Sequence, residues 1–141
     1  MGNFVVDQYF SGGMTYANVS GAINVDTSGV LYQAPQAVYH CERYGNFSYT
    51  IPGLTPGVAY EVRLHFVEGY WQAVGQRIFN VSINGTKVLS NFDIFATAGS
   101  MNKAVLQTFL MAPSSDGTML INFTSIIDNA KVDGIEVLLK H

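Results

Sequence analysis

The feature that most constrains the fold is an alternation of apolar and polar side chains in the middle of the chain. Every second residue is apolar in Tyr60–Phe66, and the same pattern returns in Phe79–Ile83. A period of two is typical of a β-strand with one buried face. The Asn84-Gly85 dipeptide that follows is the strongest short signal for a hairpin turn. The sequence therefore predicts two strands separated by an irregular segment, the second of them leading into a hairpin.

The irregular segment between these strands carries two large aromatic residues. The alternation breaks at Glu68-Gly69, and Tyr70 and Trp71, the single tryptophan of the chain, follow at once. Neighbours on an extended backbone point in opposite directions, which argues against both rings lying in the core. Loops held by rigid strands are where binding residues usually lie. From the residues alone, two interpretations stay open: at least one of the rings contacts a ligand, or the two rings plug one end of a sandwich.

The remaining pattern predicts an all-β fold. From residue 46 to residue 139, short alternating runs are separated by turn clusters such as Pro52-Gly53 and Pro113–Gly117, and no window has a convincing helical period. We expect a β-sandwich of two antiparallel sheets with long loops. Residues 1–45 are rich in turn residues, and only brief strands fit there, around Phe4–Val6 and Ala37–Glu42.

Length and composition exclude several functional classes. The 141 residues suffice for one domain, 1–141, and charged residues make up only 12% against a typical value near 25%. The net charge is −3 and the sequence has no basic run, so it indicates no positively charged surface that would attract nucleic acid or an anionic membrane. No window approaches the roughly eighteen apolar residues of a membrane span, and the first residues lack the charged start and apolar core of a signal peptide.

Reactive and metal-binding residues give weak signals. Cys41 has no partner cysteine and is expected to be a small buried side chain. No histidine spacing fits a metal site, and a calcium ion at Asp26 or Asp93 would lack a run of oxygen ligands, so we predict no cofactor. His65 is expected on the polar face of its strand, and Lys131 is expected to be solvated.

Acidic residues and sequons have ordinary interpretations. The carboxylates Glu42, Glu68 and Asp128 could supply a glycosidase pair, but nothing in the sequence fixes their separation, and we predict no enzyme. For Glu42 and Glu68 we expect ion pairs with Arg43 or Arg77. Sequons could mark a secreted protein, but we interpret most of them as polar strand residues; they begin at Asn18, Asn46, Asn80, Asn84 and Asn122.

Five runs of residues, in their order and spacing, carry a family resemblance. They are VYHCERYG from Val38, VRLHFVEGYW from Val62, QRIFNVSINGTKVL from Gln76, FDI from Phe92 and DNAKV from Asp128. Together they resemble the malectin-type carbohydrate-binding domain over about residues 4–139. The resemblance implies a β-sandwich of jelly-roll character, without catalytic activity, whose loop aromatics and one aspartate hold a glucose-type sugar. Bacterial relatives are typically attached to glycoside hydrolases, and the animal relative is an endoplasmic reticulum lectin for glucosylated N-glycans.

The resemblance also assigns residues. Tyr70 and Trp71 match the family's aromatic pair, Asp128 its ligand-binding aspartate, Tyr16 the tyrosine of its early loop and Phe4 a further early aromatic. Asn129 stands beside the aspartate and is expected to assist it. From the residues alone, Asp128 could instead cap its own turn.

Two departures from the family pattern stand out. Relatives usually begin with an additional strand containing an Asn-x-Gly-Gly run, which this sequence lacks. The first aromatic residue is Phe4, which lacks the hydroxyl that a tyrosine could donate. Without that strand a sheet edge would lie unpaired, which favours self-association through the edge.

Two functional hypotheses follow. The first is a module that binds a glucan or a related oligosaccharide or polysaccharide and targets an attached glycoside hydrolase, within a larger secreted or extracellular protein. The second is a protein-interaction or structural β-sandwich of such a protein.

Overall fold

The protein is described by a computed structural model that covers residues 4–17 and 24–140. Within these residues the chain forms two short helices, α1 (Gln36–Tyr39) and α2 (Ile94–Ala98), and nine strands. The strands are β1 (Phe10–Ala17), β2 (Cys41–Ile51), β3 (Tyr60–Val67), β4 (Ile78–Ile83), β5 (Thr86–Phe92), β6 (Ala104–Met111), β7 (Met119–Ile127), β8 (Ala130–Val132) and β9 (Gly134–Leu139).

The strands form two antiparallel sheets, which confirms the predicted all-β fold. The larger sheet has the order β1-β2-β7-β4-β5, with β8 also paired to β2, and the smaller sheet has the order β6-β3-β9. Consecutive strands β3 and β4 therefore belong to different sheets. The loop between them, residues 68–77, crosses from one sheet to the other.

The main core lies between the sheets and consists of the apolar positions of the alternating strands. Val62, Leu64 and Phe66 of β3 are fully buried, and so are Phe79 and Val81 of β4. The Phe66 ring packs against Phe79, with 5.8 Å between ring centroids. The predicted hairpin is confirmed: Asn84 and Gly85 join β4 to β5 with φ values of 48° and 83°.

The outer face of the smaller sheet is covered at one end, so a residue on this polar face can still be buried. His65 points away from the main core, as its alternation indicates, but it is 0% exposed. A second apolar cluster covers it, formed by Tyr39, Val67, Ala104 and residues between 25 and 34, with Phe4 packed against them. Burial lowers the pKa of His65, and the Glu136 carboxylate, 2.7 Å from its Nε2, partly offsets that effect.

The start of the chain departs from the predicted pattern. Residues 4–6 form no strand. Val5 and Val6 are 72% and 80% exposed, so their apolar side chains are not buried against a sheet. The strand expected over Ala37–Glu42 is partly helix α1, which follows Pro35 at φ −56°. Cys41, predicted to be buried, is exposed at the start of β2.

The two aspartates considered for calcium have structural contacts instead. Asp93 caps α2 by accepting a hydrogen bond from the Ala96 N–H, and it also accepts one from Gly75. Asp26 accepts one from the Ser28 N–H. Across residues 4–17 and 24–140, no group of three His, Cys, Asp or Glu side chains could hold a metal ion. In the same residues no helix has the length and apolar character needed to cross a membrane.

Sequon asparagines in the described residues hold the sheet together. The side-chain oxygens of Asn46, Asn80 and Asn84 accept hydrogen bonds from the N–H groups of Ser125, Asn91 and Leu120, respectively. These contacts agree with the interpretation of the sequons as polar strand residues. Asn18 lies outside the described residues.

Candidate functional site

The crossing loop between β3 and β4 is anchored by a buried ion pair at its two ends. Glu68 is 1% exposed and Arg77 is 6% exposed. Arg77 Nε lies 2.7 Å from Glu68 Oε1, and Nη2 donates to Glu68 Oε2 at 3.2 Å. This bidentate contact confirms the predicted ion pair. Burial of two charges is tolerated because both groups are closely paired.

The same carboxylate orients the two aromatic residues. Glu68 Oε2 accepts hydrogen bonds from the backbone N–H groups of Tyr70 and Trp71, each at 3.3 Å. The two rings meet edge to face with 4.7 Å between their centroids. Tyr70 is 70% exposed, whereas Trp71 is half-buried. The loop thus presents one freely accessible ring and one supported ring.

The second part of the site is an excursion in the larger sheet. Strands β7 and β8 both pair with β2. The pairing of β7 ends at Phe123 and that of β8 begins at Ala130, so residues 124–129 form an excursion that does not pair with β2. There Ile127 pairs with Ile78, the first residue of β4. Asp128 follows with a left-handed φ of 55°. The register therefore places Asp128 beside Arg77.

Side chains satisfy the backbone groups that the excursion leaves unpaired. Ser125 donates its hydroxyl to the Gly45 carbonyl and accepts a hydrogen bond from the Ala130 N–H. The Asn46 side chain accepts the Ser125 N–H. The excursion is consequently a defined structure and not a loose loop.

The two loops contact each other directly. Trp71 Nε1 donates a hydrogen bond to Asp128 Oδ2 at 3.0 Å. Arg77 Nη1 donates to the Asn129 carbonyl at 2.7 Å and lies 3.5 Å from Asp128 Oδ2. Four of the residues singled out by sequence, Tyr70, Trp71, Asp128 and Asn129, are therefore brought together.

Lys131, predicted to be solvated, is 1% exposed and lies beneath this cluster. Its Nζ donates to Glu42 Oε1 at 3.0 Å and to the Val67 carbonyl, and it lies 3.4 Å from Asp133 Oδ2. Burial alone would lower the pKa of Lys131, but the charges of Asp133, Glu42 and Glu68 outweigh it and raise that pKa. Glu42 thus pairs with Lys131 and not with either predicted arginine.

Asp133 completes the attachment to β3. Its Oδ2 accepts the Val67 N–H at 2.9 Å, while its Oδ1 is buried without a hydrogen-bond partner among the described residues. Burial raises the pKa of Asp133 to about 8, although the Lys131 charge acts in the opposite direction. Lys131 and Asp133 together hold both backbone groups of Val67, directly before Glu68.

Tyr16 lies on a strand next to the cluster, without a hydrogen bond or ring contact to Trp71 or Asp128 among the described residues. It pairs with Glu42 across the β1–β2 ladder, and Tyr44 of β2 pairs with Met14 of β1 and with Lys131 of β8. Residues directly opposite in antiparallel strands share a face, so both tyrosines lie on the face that carries Lys131. Tyr16 is 58% exposed.

Phe4 has a packing contact instead of a contact with the aromatic pair. Its ring meets His65 edge to face with 5.7 Å between the ring centroids, on the outer side of the smaller sheet. A cavity of about 520 Å³ on that sheet, beside Arg63 and Tyr32, includes none of the residues predicted to bind a ligand. The candidate site is instead formed by the two loops that carry Trp71 and Asp128.

Sequence reasoning missed the burial of Lys131 and the hydrogen bond from Arg77 to the Asn129 carbonyl. Lys131 stands between two apolar residues, Ala130 and Val132, and carboxylates near it in space come from distant positions. No local signal indicates its burial.

A family model described as "Malectin domain" matches residues 2–135. Kinesin-like protein KIN-14E of Oryza sativa subsp. japonica is 35% identical over 107 residues, which cover 70% of this chain and 10% of that protein. Malectin of Mus musculus is 30% identical over 117 residues, covering 73% of this chain and 40% of that protein.

Solved structures share the fold at lower identity. The ANX2 ectodomain from Arabidopsis thaliana superposes with a TM-score of 0.82 and 18% identity, covering 94% of this chain and 42% of that one. A structure of the plant peptide RALF23 in complex with FER and LLG2 gives a TM-score of 0.82 at 19% identity, covering 93% of this chain and 40% of that one. The chain spans less than half the length of each of these proteins.

Proposed function

The chain belongs to the malectin-domain family, and from that premise we propose that it is a non-catalytic module that binds a glucan or a related oligosaccharide. The contact between Trp71 Nε1 and Asp128 Oδ2, at 3.0 Å, carries this proposal. It brings flat aromatic surface and a directed carboxylate together from two loops distant in sequence. A sugar ring has an apolar face and a rim of hydroxyls, so a site that binds it needs both an aromatic surface and a hydrogen-bonding group.

Each residue has a distinct role in the proposed site. Tyr70 and Trp71 offer ring surface against the apolar face of the sugar, with a polar tip on each ring. Asp128, whose side chain is 35% exposed, accepts hydrogen bonds from sugar hydroxyls. Tyr16 contributes a ring and a hydroxyl from the neighbouring face, and Asn129 adds an exposed amide beside Asp128.

Binding is expected to be weak because the site is open. Stacking on one or two rings and hydrogen bonds that compete with water leave a small surplus after the costs of association. Dissociation constants of roughly micromolar to millimolar follow. In a larger extracellular protein, such a module would retain an attached domain, for example a glycoside hydrolase, near its substrate by raising its effective concentration.

The test is a titration of maltose, cello-oligosaccharides and xylo-oligosaccharides followed by fluorescence of Trp71, the single tryptophan. We expect one series to change the emission. Asp128→Ala should weaken binding at least about tenfold, since it removes a charge-assisted acceptor. Tyr32→Ala is the control, because Tyr32 is also an exposed aromatic but lies against Arg63. Unchanged affinity in Asp128→Ala, or no response to any glycan, would contradict the proposal.

A second candidate function is binding of another polypeptide at the edge formed by β1. All eight residues of β1 are exposed, the strand carries no charged side chain, and in the described residues it pairs only with β2. Such an edge is a template for adding a strand. A structural relative is solved in complex with a peptide. An available edge can also accept a second copy of this chain, so light scattering should show a molar mass that rises with concentration. A constant monomer mass would show that the edge is not available for adding a strand.

A further inference from the structure

Arg77 contacts both loops of the candidate site at the same time. Its Nε and Nη2 bind the Glu68 carboxylate, which in turn accepts the backbone N–H groups of Tyr70 and Trp71. Its Nη1 binds the Asn129 carbonyl and faces Asp128. One guanidinium thus connects the loop that carries the rings to the loop that carries the carboxylate.

The chemistry of arginine suits this position. The guanidinium is planar and offers five N–H donors in a fixed fork, so it can bind two partners on one side and a third on another. A lysine ammonium could pair with Glu68 but does not reproduce that fork. Since Arg77 is 6% exposed, no solvent layer separates it from these partners.

We propose that Arg77 is the positioning residue that sets the separation of Trp71 and Asp128, and so prepares the site before any ligand arrives. Nothing requires Arg77 to touch a ligand. A site whose parts are already in place loses less conformational freedom on binding, which is where a shallow surface gains affinity. The inference rests on the proposed function for its binding readout only.

The chain offers a matched control in Arg63. That side chain is similarly buried, at 9% exposed, and is paired with Glu61 at 2.7 Å and with Glu136 at 3.7 Å. It lies on the outer face of the smaller sheet, with its guanidinium over the Tyr32 ring. Loss of Arg63 should therefore disturb a comparable ion pair without moving either loop of the site.

The experiment compares Arg77→Lys, Arg77→Met and Arg63→Met by acrylamide quenching of Trp71 without ligand and by affinity for the oligosaccharide that binds the wild-type chain. We expect quenching to increase in Arg77→Met, because Trp71 loses its support, and affinity to fall roughly tenfold. Arg77→Lys should lie between Arg77→Met and the wild type in both measurements. Arg63→Met should match the wild type in both, although its unfolding midpoint falls.

The outcomes separate this inference from the proposed function. If the wild-type chain binds no glycan, the proposed function fails, while the quenching of Trp71 still decides the role of Arg77. If Arg77→Met does not fold, Arg77→Lys supplies the comparison. The inference would be overturned if a folded Arg77 variant showed the same quenching of Trp71 as the wild type. It would also be overturned if Arg63→Met increased the quenching as much as the Arg77 variants do.

Discussion

Four ionisable side chains next to the candidate site, Glu68, Arg77, Lys131 and Asp133, are almost entirely buried. Three of them are closely paired, but Asp133 Oδ1 has no partner in the described part of the chain. An unpaired buried oxygen favours the protonated carboxyl, in agreement with the raised pKa of Asp133. The support of the site therefore includes a group that titrates near neutral pH.

This titration predicts a pH-dependent effect of Asp133→Asn. The pKa of an aspartate carboxyl is ordinarily 3.8, and that of Asp133 in the folded chain is about 8, so between these values the folded state binds more protons than the unfolded state. The contribution of Asp133 to the free energy of unfolding therefore decreases as pH rises through that window. We expect urea denaturation to show Asp133→Asn gaining stability relative to the wild type as pH rises from about 5 to about 8.

Asp116→Asn is the control for this measurement. Hydrogen bonds from Ser114 and Thr118 lower the pKa of Asp116, so the carboxyl is ionised in both states above about pH 5. Its stability relative to the wild type should stay constant. A constant difference for Asp133→Asn as well would show that Asp133 stays ionised when folded.

At the scale of elements, tight turns between strands fix how the sheets meet. The turn before β7 docks on the turn after β2, where the Leu54 N–H donates to the Gly117 carbonyl at 2.9 Å. Gly117 has a φ of 78°, and a Cβ added there would lie 2.6 Å from the Leu54 carbonyl oxygen. Gly57 has nearly the same φ, 79°, with no atom within 4 Å of such a Cβ. The two glycines therefore share a backbone conformation and differ in the space available for a Cβ atom.

Substitution by alanine should separate these two effects. Gly57→Ala is expected to lower the free energy of unfolding by about 1 kcal/mol through the left-handed conformation alone. Gly117→Ala should cost about 2 to 4 kcal/mol, because the collision with Leu54 adds to the same conformational cost. The measurement is the free energy of unfolding in urea. Equal losses for the two variants would mean that the docked turn moves aside freely.

At the scale of the whole molecule, the candidate site joins the two sheets. Its aromatic loop begins in the smaller sheet at β3 and ends in the larger sheet at β4. Lys131 of β8, in the larger sheet, binds the Val67 carbonyl, and Asp133, between β8 and β9, accepts the Val67 N–H. We expect opening of the site to loosen contacts between the sheets. Its stability is therefore expected to follow that of the entire domain.

Two probes test this coupling during denaturation. Trp71 fluorescence reports on the aromatic loop, and far-ultraviolet circular dichroism reports on the strands of both sheets. We expect the two urea transitions to have the same midpoint, as for a single cooperative unit. A fluorescence change at clearly lower urea than the dichroism change would show that the loop opens independently.

The sequence by itself determined the strands from residue 46 onward, the hairpin and the loop with the aromatic pair, because a period of two and the chemistry of turn residues act between near neighbours. It did not predict β1, which lies among turn residues. The family resemblance, in addition, assigned Asp128 and Tyr16 to the site. Those signals are local or positional. None of them states which loops touch.

Only the tertiary structure decided burial and contact. His65 and Lys131 are buried, and Cys41 is exposed, because the cover over a strand comes from segments distant in the chain. The meeting of Trp71 with Asp128 depends on the pairing of Ile78 with Ile127 and on the reach of Arg77 between two loops. Such contacts arise from the register of strands far apart in sequence, which alternation alone does not specify.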